Sequence, residues 1–185
     1  VMDRNDSRIL YVAGWDRIRN YEESISEGPG SRIHKSIDGG STWTMLEGGL
    51  PNAEHSRIGL AISESNPSRL YAVYVGLNLD LENVYTTEDG GETWQTIPTD
   101  KDSGMGTSPF GGFGWYFGKI RLDPRDEHKL YLLGVRLWRW NNITRRWTRV
   151  DQFTGDEVHA DKHDMAFIDA TTTLLATDGG LYKSS

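Results

Sequence analysis

Two copies of one octet decide the fold. The first reads Ser36-Ile37-Asp38-Gly39-Gly40-Ser41-Thr42-Trp43, and the second reads Thr87-Glu88-Asp89-Gly90-Gly91-Glu92-Thr93-Trp94. The Asp carboxylate of each octet can accept hydrogen bonds from nearby backbone N–H groups, and the paired glycines supply the positive φ that a tight reversal requires. The Trp then folds back on the turn as an apolar anchor. The octets predict two equivalent β-hairpin turns and therefore internal repetition of the chain.

A second motif repeats at a fixed interval. Tyr11, Tyr71 and Tyr131 each lie in a short β-rich run that follows a polar turn, and they are 60 residues apart. Further strand-like segments follow each run. A Trp then opens a last strand in each unit; these residues are Trp43, Trp94 and Trp147. The unit is four antiparallel strands in about 50 to 60 residues, which is the size of a β-propeller blade.

These units predict an all-β chain that forms a single partial β-propeller over residues 1–185, with about three and a half blades. The predicted blades are residues 1–50, 56–98, 115–150 and 161–185. In the third blade an Asn141-Asn142 turn replaces Asp-Gly-Gly; Asn also tolerates left-handed geometry, so we expect the hairpin to form there too. A propeller closes by pairing its first and last blades. We therefore expect either a piece of a longer polypeptide or two copies that complete one ring.

The octets resemble the bacterial neuraminidase repeat, or Asp-box, found in the β-propellers of sialidases, xyloglucanases and sortilin receptors. The resemblance implies a structural role on the propeller rim for both boxes. The residues concerned are Asp38, Gly39, Gly40 and Trp43 in the first box and Asp89, Gly90, Gly91 and Trp94 in the second. Asp38 and Asp89 belong to separate blades, whereas the two carboxylates of a glycosidase face one bond. They are therefore not expected to form a catalytic pair.

Nearly the whole chain also resembles the large sortilin-like, glycosyl-hydrolase-type repeat proteins of bacteria. The segments that carry this resemblance are residues 28–31, 48–51, 57–61, 66–72, 115–124, 158–164 and 177–182. The resemblance implies a secreted or periplasmic protein. It leaves the activity open, because members of the group are described both as glycosidases and as receptors.

Composition limits the classes of function. The 185 residues are 36% hydrophobic and 25% charged, include no cysteine, and carry a formal net charge of −7. This mixture is typical of a globular chain. No apolar run is long enough to cross a bilayer, and neither a disulfide nor a thiolate metal site can form. The acidic charge argues against a nucleic-acid partner, because such partners usually require a basic face.

His159, Asp161 and His163 form the first candidate site. In an extended strand alternate side chains share a face, so the three would present two imidazoles and a carboxylate together. That set suits a divalent ion such as zinc, and no other cofactor is predicted. Asp164 would lie on the opposite face. The alternative is that these side chains pair with neighbouring backbone and close the joint between two blades.

Two long connections are further candidates. Segment 99–114 is rich in Gly and leads into Trp115 and Tyr116, whose rings can stack on sugars in a carbohydrate groove. The alternative is that the aromatic residues pack between blades and the glycines only make turns. Segment 15–30 is a similar candidate because it contains several charged residues. The predicted ligand-binding residues are Trp115, Tyr116, His159 and His163.

Enzymatic chemistry is the alternative to binding alone. A glycoside hydrolase needs two carboxylates beside one bond, and Asp161 and Asp164 are the candidates for acid or base. A sialidase would also need three arginines that clamp a carboxylate. Four arginines are available, although no motif links them: Arg17, Arg57, Arg121 and Arg136.

We therefore predict a secreted or periplasmic propeller module whose channel face binds a glycan or a peptide. The alternative is a glycoside hydrolase, sialidase-like or xyloglucanase-like, that acts on extracellular polysaccharide and holds the sugar with Trp115. A binding module predicts an aromatic or polar patch, whereas an enzyme predicts two carboxylates that face one cleft. The remaining predicted partner is the rest of the propeller or a second copy that closes the ring.

Overall fold

The computed structural model describes residues 1–152 and 157–184. Within these residues the chain contains strands and no helix, so no helix there could span a membrane. Ser185, the last residue of the predicted fourth blade, lies outside the described residues. The strands are β1 (Leu10–Ala13), β2 (Ile18–Arg19), β3 (Ser24–Ile25), β4 (Ile33–Ser36), β5 (Thr44–Met45), β6 (Ile58–Ile62), β7 (Leu70–Val75), β8 (Leu81–Thr87), β9 (Gln95–Ile97), β10 (Lys119–Asp123), β11 (Asp126–Leu133), β12 (Leu137–Asn141), β13 (Arg146–Arg149), β14 (Lys162–Phe167), β15 (Thr173–Thr177) and β16 (Gly180–Ser184).

The strands form four successive antiparallel sheets and one small hairpin. The first sheet contains β1, β4 and β5, and Met2 forms an isolated bridge with Leu10. The second sheet has the order β6-β7-β8-β9, the third β10-β11-β12-β13, and the fourth β14-β15-β16. The β2–β3 hairpin lies within the connection between β1 and β4. The second and third sheets are therefore complete four-stranded meanders.

The sheets stand side by side with their first strands together. Strand β6 contacts β10, and β10 contacts β14. The apolar core lies between the sheets: one buried cluster joins the first sheet to the second, another joins the second to the third, and a smaller one joins the third to the fourth. Burial of apolar surface between neighbouring sheets therefore holds the architecture together.

The tyrosines at 60-residue spacing lie at the joints between sheets. They are Tyr11 in β1, Tyr71 in β7 and Tyr131 in β11. The Tyr11 hydroxyl donates to the Gly90 carbonyl of the second sheet (3.0 Å), and the Tyr71 hydroxyl donates to the Glu127 carbonyl of the third (3.4 Å). The Tyr131 ring lies 5.8 Å from the Phe167 ring of the fourth. Each tyrosine thus contacts the next sheet. Because each of these joints uses such a contact, the tyrosines recur at the length of one blade.

Both Asp-Gly-Gly turns have the geometry that the octets predict. The Asp38 carboxylate accepts the Thr42 N–H at 2.9 Å and the Thr42 hydroxyl at 2.6 Å. The Ser36 hydroxyl donates to the same carboxylate at 2.8 Å and accepts the Gly40 N–H at 2.9 Å. Hydrogen bonds from Thr42 and Ser36 lower the pKa of Asp38 to about 2. The two glycines of this turn have φ values of 73° and 91°, and those of the turn at Asp89 have 70° and 93°.

The third turn forms the predicted hairpin with a different left-handed residue. The hairpin between β12 and β13 forms, and the Asn141 side-chain oxygen accepts the N–H groups of Ile143 and Thr144, both at 2.9 Å. The left-handed residue is Arg145, with φ 52°, and not Asn142. The Asn141 side chain fixes the first residues of the loop by these hydrogen bonds. The left-handed residue therefore stands at the end of the loop, as in other loops built around a type I turn.

A further repeat, which the sequence analysis missed, joins consecutive sheets. After the last strand of the first and second sheets the chain passes through Gly49 (φ 97°) and Gly104 (φ 99°), here named the joint glycines. The carbonyl of the residue before each joint glycine accepts a backbone N–H from the next sheet, at 2.6 Å from Trp94 and 2.7 Å from Trp147. A buried apolar residue follows each joint glycine. A glycine followed by an apolar residue is common in sequences, so this pair of residues alone does not predict a joint.

We expect Gly104→Ala to lower the free energy of unfolding by about 2–3 kcal/mol, because its φ disfavours an L side chain and the strain must be absorbed nearby. The added Cβ would also lie 2.5 Å from the Trp147 carbonyl oxygen. Gly106→Ala is the matched control, since a Cβ there meets nothing within 4 Å. Urea denaturation of both variants measures the difference. Equal stability of the two variants would contradict a joint at Gly104.

Candidate functional site

The long connections gather at one end of the molecule, here named the loop face. The loop face includes residues 14–32, 46–57, 76–80, 98–118 and 134–136, together with the described residues 150–152, 157–161 and 178–179. Backbone hydrogen bonds join these segments: the Gly28 N–H donates to the His55 carbonyl (3.0 Å), and the Gly114 N–H donates to the Leu79 carbonyl (2.7 Å). The turns at Asp38 and Asp89 lie at the other ends of the strands, where the Gly90 N–H donates to the turn between β6 and β7.

Five side chains of the loop face form the aromatic–arginine cluster: Trp15, Arg17, Arg57, Trp115 and Tyr116. The guanidinium carbon of Arg17 lies 5.7 Å from the Trp15 ring centroid and 5.2 Å from that of Trp115. The guanidinium carbon of Arg57 lies 5.4 Å from the Trp15 centroid, and its Nη1 donates to the Tyr116 carbonyl at 2.7 Å. Cations at these distances are attracted to aromatic faces. The structure thus brings together the two connections that the sequence identified separately.

Backbone contacts position the cluster. The Trp15 indole N–H and the Arg17 Nη1 each donate at 2.8 Å to a carbonyl at the end of β3. The β2–β3 hairpin therefore holds both side chains. In the glycine-rich connection, the Ser108 hydroxyl and the Gly112 N–H donate to the Asp80 carboxylate. These contacts order the glycine-rich segment just before the Trp115 side chain.

A cavity of about 470 Å³ opens beside the cluster. Its lining side chains are Arg17, Arg19, Ser24, Ser26, Glu27, Leu77, Leu79 and Trp115. Three exposed apolar side chains also lie on this face: Leu77, Phe113 and Tyr116. A concave site with aromatic walls and a few polar groups can take one sugar unit or an extended peptide.

The predicted ligand-binding residues fall into two groups. Trp115, Tyr116 and His163 come together, because the Tyr116 ring lies 5.6 Å from the Trp115 ring and 5.8 Å, edge to face, from the His163 ring. The His163 Nε2 also pairs with Asp178. His159 packs against Gly179 in the turn between β15 and β16, next to Asp178, and no aromatic contact joins it to the other three among the described residues. Trp115, Tyr116 and His163 therefore share one surface, and a ligand-binding role for the four residues stays a prediction.

The predicted metal ligands His159, Asp161 and His163 are not brought together, which corrects the grouping made from sequence. Strand β14 begins at Lys162, and Asp161 has a left-handed φ of 65°, so the alternation of side chains does not extend back to His159. A register shift between Lys162 and Asp164 interrupts it again. Within residues 1–152 and 157–184, no group of three or more His, Asp or Glu side chains could hold a metal ion.

The carboxylates and arginines considered for catalysis have other contacts. The Asp164 Oδ1 lies 2.8 Å from Arg121 Nη2 in an ion pair. Arg136 donates to the Ser108 carbonyl at 3.0 Å, away from that pair. Asp161 is the left-handed residue just before β14. A role for Asp161 or Asp164 as acid or base stays a prediction.

Two lysines that the sequence analysis did not single out occupy the first strands of two sheets. The Lys119 Nζ donates to the His163 carbonyl at 2.7 Å. Burial, followed by the charge of Arg57, lowers the pKa of Lys119. Lys162 is only 1% exposed, and its Nζ lies 2.5 Å from the Asp151 carboxylate. Lysine is mostly solvated in proteins, so its presence in a strand gives no signal of burial.

Comparison with known proteins bears on the fold. The sequence matches no family model and no curated protein. Among solved structures, an ancestral GH74 enzyme aligns with a TM-score of 0.62 and 15% identity, over 100% of this chain and 22% of that one. The GH74 xyloglucanase of Xanthomonas campestris aligns with a TM-score of 0.57 and 16% identity, over 95% of this chain and 26% of that one. Both are β-propeller proteins.

A third match is YCF48 bound to a D1 peptide, another β-propeller protein, with a TM-score of 0.53 and 13% identity, over 96% of this chain and 55% of that one. The chain folds as part of a β-propeller. The four sheets are its blades, and the predicted fold class is confirmed. The chain spans about a quarter of the length of the GH74 enzymes and about half that of YCF48. At such low identity the likeness shows the fold alone.

Proposed function

We propose that this propeller segment binds a glycan or a peptide on its loop face. The observation that carries the proposal is the aromatic–arginine cluster, in which Arg17 and Trp115 line a cavity of about 470 Å³ and the Tyr116 ring lies 5.6 Å from the Trp115 ring. Residues of both long connections build this surface. Loops on a rigid β scaffold are the usual place for recognition, because the scaffold fixes them while their side chains remain accessible.

The geometry of the cluster supports recognition by stacking. Tyr116 is 50% exposed, and the cation of Arg17 holds the Trp115 ring from one side. A ring fixed in this way loses little conformational entropy when a ligand stacks on it. The C–H face of a sugar and the side chains of a peptide both fit such a surface. The Asp-Gly-Gly turns at the other ends of the strands are left with a structural role.

We further propose that the chain belongs to an Asp-box protein of the sortilin-like, glycosyl-hydrolase-type group and acts outside the cytoplasm, as a secreted or periplasmic protein. Support comes from the two octets and from the segments that resemble this group along nearly the whole chain. Fractionation of the native host, with the chain detected by antibody, tests the location. Recovery only in the cytoplasmic fraction would contradict it.

We expect Trp115→Ala and Tyr116→Ala each to weaken ligand binding by about tenfold or more, because aromatic side chains at the centre of a site carry much of the affinity. Trp43→Ala is the matched control, since Trp43 is an exposed tryptophan on an Asp-Gly-Gly turn. Calorimetric titration with a panel of oligosaccharides and peptides measures the affinities. An equal loss of affinity in all three variants would place the site elsewhere.

A glycoside hydrolase is the second candidate, and the structural match to GH74 enzymes favours it. In that case Asp161 or Asp164 would act as acid or base, and Trp115 would hold the sugar. Release of reducing sugar from xyloglucan, or of free sialic acid from a sialoside, tests this candidate. An activity that is lost in Asp161→Asn or Asp164→Asn would support it. Binding without any released product would favour the module that only binds.

We propose that the remaining partner completes the ring, either as the rest of a longer polypeptide or as a second copy. Strand β16 is the outer strand of the fourth blade and pairs only with β15 among the described residues. Its Leu181 side chain is largely exposed. The mass of the chain in solution, measured by light scattering, separates the alternatives. A dimer would indicate a second copy, and a monomer would indicate the longer polypeptide.

A further inference from the structure

Three basic side chains lie on or directly before the first strands of two neighbouring blades, and one of them belongs to the aromatic–arginine cluster. They are Arg57, Lys119 and Arg121, here named the basic patch. Arg57 directly precedes β6, while Lys119 and Arg121 are alternate residues of β10 and share one face of that strand. All three line one cavity of about 390 Å³. Two elements that are far apart in the chain therefore converge on this cavity.

Within residues 1–152 and 157–184, the basic patch is only partly neutralised. Lys119 donates to a backbone carbonyl at 2.7 Å, and Arg121 pairs with Asp164 at 2.8 Å. The Arg57 side chain donates to the Tyr116 carbonyl, and no carboxylate of the described residues forms an ion pair with it. Among the described residues, these three cations thus have one carboxylate partner. This excess of positive charge occurs in a chain whose formal net charge is −7.

Each positive charge of the basic patch makes the protonated form of its neighbours less stable. Burial lowers the pKa of Arg57 and of Lys119; the charge of Arg57 lowers the pKa of Lys119 further, and the charge of Asp164 opposes this shift. A bound anion would relieve this repulsion and would be attracted by the concentrated positive field. The Arg121 side chain is 39% exposed, so a ligand in the cavity can reach it.

Arg57 connects the basic patch to the aromatic rings. Its guanidinium carbon lies 5.4 Å from the Trp15 centroid, and its Nη1 donates to Tyr116. The same side chain lines the cavity together with Lys119 and Arg121. A ligand that touches Arg57 is therefore close to both a carboxylate-binding surface and a stacking surface.

We propose that the basic patch binds the carboxylate of an acidic glycan, a uronic-acid polymer, whose sugar ring stacks on the aromatic–arginine cluster. This inference rests on the proposed function and names its ligand class. Arg binds carboxylates through two parallel N–H groups, which gives direction as well as affinity. A uronic acid carries a carboxylate and an apolar ring face in one unit, matching the two adjacent surfaces. An acidic peptide carries its carboxylates on flexible chains without such a ring face.

Calorimetric titration of the chain with three ligands tests the proposal. The ligands are an oligogalacturonate, the same oligosaccharide after its carboxylates are reduced to alcohols, and an oligoglutamate. We expect the oligogalacturonate to bind at least about tenfold more tightly than the other two, with an affinity that falls as salt is added. Arg57→Gln and Arg121→Gln are each expected to lose about tenfold of that affinity. Arg146→Gln, at an exposed residue of β13, is the control and should bind as before.

Each outcome has a separate meaning. Equal binding of the acidic and the reduced oligosaccharide would overturn the carboxylate site but keep the proposed glycan function. Preference for oligoglutamate would overturn the choice of a glycan. Absence of binding by all three, with the neutral panel also negative, would overturn the proposed function itself. Circular dichroism confirms that each variant is folded, and the comparison of ligands on the unmodified chain does not depend on the variants.

Discussion

Asp151→Asn is expected to lower the free energy of unfolding by about 3–5 kcal/mol, the loss typical of a buried ion pair that keeps one uncompensated charge. Asp151 and Lys162 are 0% and 1% exposed, and their charged groups lie 2.5 Å apart. The only other hydrogen bond of the Lys162 ammonium within the described residues goes to the Val135 carbonyl, at 2.9 Å. Without the carboxylate, a charge at the joint between the third and fourth blades loses its counterion.

Two further variants separate this pair from ordinary surface charges. Asp126→Asn is the control, because Asp126 pairs with Lys129 in a partly exposed contact of 3.0 Å, and it should cost less than about 1 kcal/mol. The double variant Asp151→Leu, Lys162→Met should recover much of the loss, since no unpaired charge remains buried. Urea denaturation followed by tryptophan fluorescence measures all three. Equal losses for Asp151→Asn and Asp126→Asn would contradict the account.

The same pair makes stability depend on pH. Burial alone would raise the pKa of Asp151, but the hydrogen bonds from Lys162 and Arg149 lower it below its usual value. The folded pKa therefore lies below the unfolded value of about 3.9, so the contribution is fully present above that pH and is lost as pH falls through the folded pKa. The acid side of the stability curve should be flatter in Asp151→Asn than in the unmodified chain.

Trp94→Ala is expected to lower the free energy of unfolding by about 3–5 kcal/mol, whereas Trp43→Ala should cost well under half of that. The two residues occupy the same place in their turns, and their indole N–H groups donate to the turn carbonyls at 3.1 and 3.0 Å. Trp94 is 5% exposed and packs with Leu46 and Leu50 of the first blade. Trp43 is 40% exposed, and no blade of the described residues lies on its outer side.

The comparison isolates packing between blades from the chemistry of the turn. If the turn alone mattered, both substitutions would remove the same hydrogen bond and destabilise the chain equally. If burial against the preceding blade matters, only Trp94→Ala should create a large cavity. Thermal and urea unfolding of the two variants at one protein concentration distinguish these outcomes. Similar losses in both variants would contradict a core that lies between the blades.

The fold could be predicted because its signals are local and repeated. An Asp carboxylate and two glycines specify a turn within eight residues, and the second octet shows that the unit recurs. The tyrosines at 60-residue spacing add the length of the unit. The joint glycines could not be predicted, because the reason for them is a Trp carbonyl in the next blade. Contacts of that kind have no signature in the surrounding sequence.

The candidate site could be predicted only in part. Segments 15–30 and 99–114 stood out by composition, but their contact through Arg17 depends on how neighbouring blades pack. The grouping of His159 with His163 failed because one residue, Asp161, is left-handed and ends the alternation on which the grouping relied. A left-handed non-glycine residue is uncommon, so a pattern based on strand periodicity does not anticipate it. The basic patch was found only in part: Arg57 and Arg121 were among the arginines considered for a carboxylate, but their convergence with Lys119 depends on the packing of two blades.

The indole N–H region of a ¹H–¹⁵N NMR spectrum tests the central claim, that the loop face binds the ligand, most directly. The chain has seven tryptophans, so seven resonances report on both ends of the blades and on the core. On titration with an oligogalacturonate, the account predicts shifts for Trp15 and Trp115 and none for Trp43. Shifts at Trp43 with Trp15 and Trp115 unchanged would contradict it.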